Sequence, residues 1–341
     1  MPRLEAPLYD RKKILNLLLS VEPGTTSKET TEQSNCVILR KGRFYTLSRE
    51  TSCSVPSGLP QEMEGCVELK QLADLLKELP EEEISIETVE NVLHVKGKGR
   101  AARLAMPPEV KLPIGDVVLP GPQDWKTITQ EFSTAVLLAQ NCTKRKDKVF
   151  LKECVHIHPD YIEGSDGRRV MRYTLATFVK EPVLVRGVSI KTMTPFSFTK
   201  AAETDDWLHF RNPLGLRLSV RKLTEVKYPD FDSVLEVRGD PISLPKGIAG
   251  AAKIAGSFAG EDGDVSVRLE NGLLVVLGTN GSSDYREKRK ADYTGPAIQF
   301  SLPPKLIEEI ISLSSRCELG PKSLRIDGDS FVYCAALKQE G

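Results

Sequence analysis

The chain has 341 residues, 40% hydrophobic and 28% charged, with 47 basic against 47 acidic side chains and a formal net charge of zero. That length suits two or three domains of roughly 100–200 residues. The charge balance excludes a protein that grips nucleic acid over its whole surface, which should be clearly basic, and confines any such contact to a local patch. In chain order, Arg11 to Ser20 reads as an amphipathic helix, and NCVILRKGRFYTLSRE follows as a hairpin around Lys41-Gly42. Cys66 to Gly97 opens with a short alternating run. Leu72, Leu75, Leu76 and Leu79 then fall at helical spacing, Pro80 stops the helix, and ISIETV and VLHVKG alternate on either side of a Glu-Asn turn. A stretch rich in Pro and Gly, Pro107 to Pro122, reads as a linker.

The order then repeats. Thr129 to Asn141 is a helix, followed by the strand run VFLKECVHIHPDYIEGSDGRR. Gly187 to Thr192 is expected as a strand and Pro195 to Ala202 as a short helix, with WLHFR and GLRLSVR as closing strands. A second linker covers Lys227 to Pro241. Pro245 to Phe258 is expected as a helix, followed by DVSVRLENGLLVVLGTNG, where Asn271-Gly272 is a strong two-residue hairpin signal. Ile298 to Leu302 is a strand and Pro303-Pro304 suits a helix start. Leu306, Ile307, Ile310, Ile311 and Leu313 form that helix's apolar stripe, and CELG and SLRIDGDSFVYCAAL close the chain as strands. Equivalent helices recur roughly 115–120 residues apart. The expected fold class is α+β: three repeated modules, each with two helices packed on antiparallel strands, about eight in number, over residues 1–112, 120–226 and 227–341. Three unrelated α+β domains are the alternative.

Seven cysteines (Cys36, Cys53, Cys66, Cys142, Cys154, Cys317 and Cys334) include no CxxC pair and are odd in number, which argues against a disulfide framework. MPRLEAPLYDRKK lacks an apolar signal core, and no apolar run is long enough to cross a bilayer. A soluble cytoplasmic protein with no membrane contact is expected.

Four local patterns resemble the bacterial-type DNA polymerase sliding clamp, the β family. Gly164-Ser165-Asp166-Gly167-Arg168-Arg169-Val170 is similar to that family's Thr-Asp-Gly-His-Arg-Leu turn, and Lys227-Tyr228-Pro229-Asp230-Phe231 to its Phe-Pro-Asp-Tyr segment. Tyr293-Thr294-Gly295 with IQFSLPPKLIEEI resembles its Tyr-x-Gly strand and last helix, and the chain ends in a strand as family members do. The resemblance covers nearly the whole length. It implies DNA-clamp modules forming half of a ring, two subunits closing head to tail around duplex DNA as a homodimer, with a trimer as the rival count. The implied function is a processivity factor, a ring that tethers a replicative DNA polymerase, performs no chemistry and is opened by a clamp-loader ATPase. It would work near the nucleoid, or in a host cytoplasm if viral.

A sliding ring needs weak, sequence-independent attraction to phosphates. Candidate DNA-binding residues are Arg11, Lys12 and Lys13 on the first helix, Lys200 on a short helix, Lys246 and Lys253 on one face of another, and Lys305 and Arg316 bracketing the last. The densest basic run, Lys144, Arg145 and Lys146 with Asp147 and Lys148, suits either phosphate contact or capping of a helix C-terminus. The resemblance also implies an apolar partner-peptide cleft. It would include Leu151, Ser165, Gly167, Arg168, Arg169, Val170, Pro229, Ser233 and Val234, with Val332, Tyr333, Cys334, Ala335 and Ala336 from the last strand. Ser165 and Arg168 stand where Thr and His are usual, and Ala335 and Ala336 fall where the family carries a Met-Pro-Met-Arg-like strand. A shallower pocket with different partner specificity follows, as in a divergent or viral member.

No catalytic or cofactor pattern stands out. His156 and His158, with Cys154, would share one strand face, but no further ligand with metal-site spacing completes them. Glu261-Asp262-Gly263-Asp264 lacks the spacing of a calcium loop and reads as a turn. Gly97-Lys98-Gly99-Arg100 is not a phosphate-binding loop, and no GxSxG elbow occurs. The expectation is no enzyme, no cofactor and no metal. The rival classes are an enzyme with its site at a domain junction and a peptide-binding scaffold that does not touch DNA.

Overall fold

The computed structural model describes residues 7–223, 226–260 and 263–339. Of the acidic turn considered above, Glu261 and Asp262 lie outside the described residues. Contacts divide the chain into two compact units. Unit 1 comprises Met1–Leu137, Val155–Pro159 and Ala176–Val226, and unit 2 comprises Leu138–Cys154, Asp160–Leu175 and Lys227–Gly341.

Seven α-helical segments are described: α1 (Arg11–Val21), α2 (Leu69–Glu78), α3 (Gln130–Asn141), α4 (Gly187–Ile190), α5 (Asp232–Leu235), α6 (Ile248–Gly256) and α7 (Pro304–Leu313). Local chemistry sets their ends. Asp10 caps α1 by accepting a hydrogen bond from the Lys13 backbone N–H at 2.8 Å. Leu79, before Pro80, turns extended (φ −68°, ψ 127°) and ends α2. Pro304 occupies the first turn of α7, where its missing N–H costs nothing.

In unit 1 a four-stranded antiparallel sheet runs Leu8–Asp10, Glu83–Val89, Val92–Gly97, Arg100–Ala105. An eight-stranded sheet runs Gly65–Glu68, Cys36–Arg40, Arg43–Leu47, Thr51–Pro56, Arg217–Arg221, Trp207–Arg211, Lys200–Glu203, Lys126–Thr127. Its centre is a seam where Thr51–Pro56, from the first repeat, pairs with Arg217–Arg221, from the second, Ser54 opposite Arg217. Unit 2 builds the same seam again. Arg169–Thr174 pairs antiparallel with Phe331–Ala336, Val170 opposite Cys334, with Tyr161–Ser165 on one side and Ser323–Asp327, Arg316–Leu319 and Asp240–Ser243 on the other. Unit 2 also holds a five-stranded sheet ordered Asp284–Lys290, Leu273–Thr279, Val265–Glu270, Ile298–Leu302, Lys338–Gln339. The hairpins at Lys41-Gly42 and Asn271-Gly272 have φ values of 49° and 68°, and 51° and 71°, as a two-residue turn between twisted strands requires.

The repeat reaches the level of single contacts. In each repeat the second strand of the hairpin passes beneath the C-terminal turn of the preceding helix. In the first, Thr46 Oγ1 donates to the Val21 carbonyl at 2.6 Å. In the second and third that position is a glycine. A Cβ on Gly164 would lie 2.2 Å from the Ala139 carbonyl oxygen, and one on Gly278 would lie 1.8 Å from that of Ala255. Only a missing side chain allows that approach of helix to sheet. The main core of unit 2 gathers Ile248, Ala252 and Ala255 of α6, Leu306, Ile307 and Ile310 of α7, and the inward residues of the sheets. In unit 1, Phe132, Phe178, Phe198 and Phe210 pack ring against ring with centroids 5.5 to 6.1 Å apart.

Four expectations need correction. The strand expected at Gly187 to Thr192 lies earlier, at Val183–Arg186, and Gly187 opens α4 instead. The helix expected over Pro195 to Ala202 is replaced by a turn and the strand Lys200–Glu203. Phe150–Glu153 is a single 3-10 turn rather than a strand. The helix expected from Pro245 starts only at Ile248, because Gly247 sits at φ 83°, outside the helical region.

Candidate functional site

Two sets of residues carry the functional expectation, cations on or beside helices and a groove beside the second seam. On α1, Lys12 and Lys13 are exposed, but Arg11 is buried. Its guanidinium donates through Nε to the Glu81 carbonyl at 2.7 Å and through Nη1 to the Leu76 carbonyl, tying α1 to the end of α2. Arg11 is therefore a structural residue, not a DNA ligand. Lys200 is on a strand and donates to Thr127 Oγ1 at 2.8 Å, so its expected place on a short helix is also corrected. Lys253 is exposed in the last turn of α6, whereas Lys246 is exposed but precedes the helix. The shared helical face expected of the two does not form. Lys305 is exposed in the first turn of α7, and Arg316 is exposed at the start of a strand, opposite Ser243.

The basic run after α3 divides in two. Lys144 Nζ pairs with Asp147 at 2.9 Å, and this hydrogen bond holds the Asp147 carboxyl below the usual carboxylate range. Asp147 also accepts from the Val149 N–H, and its own N–H donates to Glu153 at 2.7 Å. Lys144 thus shapes the loop, while Arg145 and Lys146 point to solvent.

The cleft residues all fall in unit 2, and alternation along the strands sorts them. The Ser165–Arg169 turn is a fixed Asx turn. Asp166 Oδ1 accepts from the N–H groups of Arg168 and Arg169 at 2.8 and 3.1 Å, and Ser165 Oγ accepts from the Gly167 N–H and donates to the Arg169 carbonyl. Gly167 sits at φ 84° against the side chain of Lys152, in the same single turn as Leu151. The Ala336 N–H donates to the Arg168 carbonyl at 2.7 Å and locks the last strand to that turn. On one face, Val170 and Cys334 pack against Leu235 of α5, flanked by half-buried Phe231 and Val332. Pro229, Ser233 and Val234 are exposed nearby in sequence on and before α5. On the opposite face, Tyr333 and Ala335 point into the main core with Met171 and Cys142. Five consecutive residues of one strand cannot all line one groove, so Tyr333 and Ala335 are core residues.

Arg169 enters a network rather than the groove. It pairs with Glu309 of α7, lies 3.3 Å from Asp166, and donates to the Asn141 carbonyl at 2.8 Å. Burial pushes the Glu309 carboxyl up, against the pull of Arg169, and burial also raises the neighbouring Tyr333 phenol. Arg172, absent from the sequence-based set, docks α5: it pairs with Glu163 at 2.9 Å and Asp232 at 2.6 Å, with its guanidinium 4.3 Å from the Tyr161 ring centroid.

No family model matches this chain, and no curated protein sequence matches it. Solved structures do. DNA polymerase III subunit beta from Pseudomonas aeruginosa superposes with a TM-score of 0.82 over 98% of this chain and 99% of that one, at 16% identity. A sliding clamp from Bartonella birtlesii, bound to griselimycin, gives a TM-score of 0.84 at 14% identity over the same shares. The DNA polymerase III beta chain of Streptococcus pneumoniae gives 0.83 at 13% identity, again over 98% and 99%. This chain has the sliding-clamp fold. The α+β expectation holds, and the fold is shared at 13–16% identity. Arg172 and Glu309 carry little signal of their own in the sequence, because a charged residue in a strand or helix looks like any solvated one until a distant partner, Asp232 for Arg172 and Arg169 for Glu309, is placed beside it. The one available signal is the passage from acidic to basic residues in EGSDGRRVMR, where Glu163 and Arg172 fall on facing strands. Among the described residues no group of three or more His, Cys, Asp or Glu could hold a metal ion. No helix among them is long and apolar enough to cross a membrane.

Proposed function

We propose that this chain is a DNA sliding clamp: a ring-shaped processivity factor that encircles duplex DNA, performs no chemistry and tethers a replicative polymerase. Its modules are residues 1–112, 120–226 and 227–341, and two chains close head to tail into a six-module homodimer. The observation that carries this reading is the likeness to DNA polymerase III beta clamps over nearly the full length of both chains. A clamp-loader ATPase opens the ring, and the protein works on DNA in the cytoplasm. Phosphates are met by Lys12, Lys13, Arg145, Lys146, Lys246, Lys253 and Lys305, all exposed and on or beside helices. Such contacts give weak, salt-sensitive, sequence-independent attraction, which permits sliding. The partner groove is the surface left beside Gly167, Arg168, Val332, Ala336, Ser233 and Val234. An extended peptide with apolar anchors suits it.

The test is retention. Loaded on nicked circular DNA, the protein should stay bound through a high-salt wash and be released when the circle is cut. Equal retention on cut and uncut DNA would show ordinary binding and end the topological reading. Light scattering should give about twice the 37.7 kDa chain mass. Reversing Lys12, Lys13 and Lys253 to Glu should shorten retention while leaving the mass unchanged.

A further inference from the structure

The seam of unit 1 closes as that of unit 2 does: the Arg221 N–H donates to the Glu50 carbonyl at 2.9 Å, where the Ala336 N–H donates to Arg168 at 2.7 Å. What surrounds the closure differs. In unit 1 the turn Ser48–Arg49 separates two adjoining cavities that share both residues. The first, of 250 Å³, is floored by Leu47, Leu112, Val117 and Trp207, which form one small apolar cluster. The second, of 400 Å³, is lined by hydroxyls, among them Thr26, Thr30, Ser189 and Thr192, and by Glu50, whose carboxylate accepts from Ser189 Oγ at 2.9 Å and lies 3.7 Å from Arg186. Arg49 is exposed and forms no ion pair among the described residues. The Arg221 guanidinium lies 4.9 Å from the Trp207 ring centroid at the mouth of the first cavity. Asp116 also lines this cavity, so its lining holds two guanidiniums and one carboxylate. Past Val117 the chain exposes Val118 and Leu119 by 66% and 46%, extending the apolar surface outward.

We propose that this double cavity is a second peptide-docking site, distinct from the groove of unit 2. Its partner is a short extended segment carrying one large apolar side chain followed by a carboxylate. The apolar side chain enters the Trp207 cavity, where displacing water from an apolar floor favours binding. The carboxylate meets Arg49 and Arg221 in charge-assisted hydrogen bonds. The following backbone crosses the turn into the hydroxyl-lined cavity, whose Ser and Thr side chains both donate and accept. The lining separates the two sites: in unit 1 two guanidiniums, Arg49 and Arg221, line a cavity with an apolar indole floor, whereas in unit 2 Arg169 is committed to Glu309 and Asp166 and Arg168 alone stays exposed beside the groove.

The chain holds two tryptophans, Trp125 and Trp207, so Trp125→Phe leaves Trp207 as sole reporter. The probe is the acetylated hexapeptide Gly-Ser-Phe-Asp-Ser-Gly, titrated into full-length W125F protein. A saturable change in Trp207 emission is expected below about 1 mM. Arg49→Glu should weaken it about tenfold, the scale of a charge contact next to an apolar anchor. The probe with Ala for Phe should give no saturation, and Val234→Asp in unit 2 should leave the titration unchanged. Absence of saturation with the parent probe, or saturation that Arg49→Glu does not weaken, overturns the site. Weakening by Val234→Asp alone would assign the peptide to unit 2 and also overturn it. DNA retention, unaltered in Arg49→Glu, reads out the clamp assignment separately.

Discussion

The two seams share a backbone and differ in chemical content. Both pair a strand of one repeat with a strand of the next, and both close through the same N–H to carbonyl bond. The seam of unit 1 is lined by Trp207, Leu47 and the buried histidine His209. The seam of unit 2 is crossed by charge: Arg169 to Glu309 and Asp166, and Arg172 to Glu163 and Asp232. The difference teaches that the clamp fold specifies this junction by backbone pairing, while each side-chain filling answers its own desolvation problem. A mainly apolar filling needs volume, with partners only for the one buried imidazole, which Thr204 and Ser219 supply. An ionic filling is stable only when every member has its partner.

The sharpest break between the seams should come from removing one partner of the ionic one. Arg169→Ala leaves Glu309 half-buried with its carboxyl already pushed up by burial. A loss of about 3 kcal/mol from unit 2 is expected, the scale of an orphaned, largely buried ion-pair partner. Replacing both by apolar residues, Arg169→Met with Glu309→Leu, should recover most of it, because the Glu309 charge is gone and Asp166, the other partner of Arg169, keeps its two backbone N–H donors. Urea denaturation followed by near-ultraviolet circular dichroism checks both. If the double variant is as unstable as the single one, the ion pair itself, rather than the orphaned charge, holds the seam.

Acid should act next, and on the other seam. His209 is 1% exposed, bonded through Nε2 to Thr204 Oγ1 at 2.9 Å and through Nδ1 to Ser219 Oγ at 2.8 Å. Burial, with Lys222 adding to it, pushes the imidazole down to about 4 from its ordinary 6.5. The folded pKa lies below the unfolded one. As pH falls from 6.5 toward 4, the unfolded chain therefore takes up a proton that the folded chain refuses, and stability is lost through that window. At pH 5 the loss is about 2 kcal/mol by linkage. His209→Gln should flatten the pH dependence of the unit 1 transition between pH 7 and 5. An unchanged slope in that variant would place the acid sensitivity elsewhere.

Much of this arrangement was legible in the sequence, and what was not has a common cause. The hairpins at Lys41-Gly42 and Asn271-Gly272 could be read because positive φ at two successive positions is demanded by a two-residue turn and tolerated by those residues. The strand Ile298–Leu302 and helix Pro304–Leu313 could be read because a period of two gives way to a period near 3.6 at a proline. α4 could not, since four residues span barely one turn and leave no periodicity to detect. Lys246 falls outside α6 because Gly247, at φ 83°, stands just before its first residue and stops the helix from extending back to it. In the cleft, the turn Ser165–Arg169 is legible through its likeness to the family's turn, whereas the alternation of a strand sends Tyr333 and Ala335 to the core face, which a run of five consecutive residues overlooks. The ion pairs were hidden because charge partners such as Arg169 and Glu309 are set by tertiary pairing, not by local spacing.

The smallest effect tests how far the repeat extends. At the point where a strand passes under a helix end, the second and third repeats have Gly164 and Gly278, with helix carbonyls within 2.2 Å of where a Cβ would stand. Those carbonyls already accept from their own helix turns, Ala139 from Cys142 and Ala255 from Phe258. The first repeat instead has Thr46, fully buried, which supplies a donor to the Val21 carbonyl at 2.6 Å. A hydroxyl that bridges helix and strand is a spacer as well as a bond, so the helix in the first repeat stands off where the others press in. Thr46→Val keeps the volume and removes the donor, and should cost about 1 kcal/mol, the net worth of one buried hydrogen bond. Thr46→Gly removes both and admits the helix to the closer packing seen in the other repeats, at the added cost of a cavity if it does not move. A Val variant less stable than the Gly variant would show that the first repeat can relax into the geometry of its siblings. The reverse order would show that α1 is held off the sheet by its other ties, Arg11 to Leu76 and Glu81 first among them.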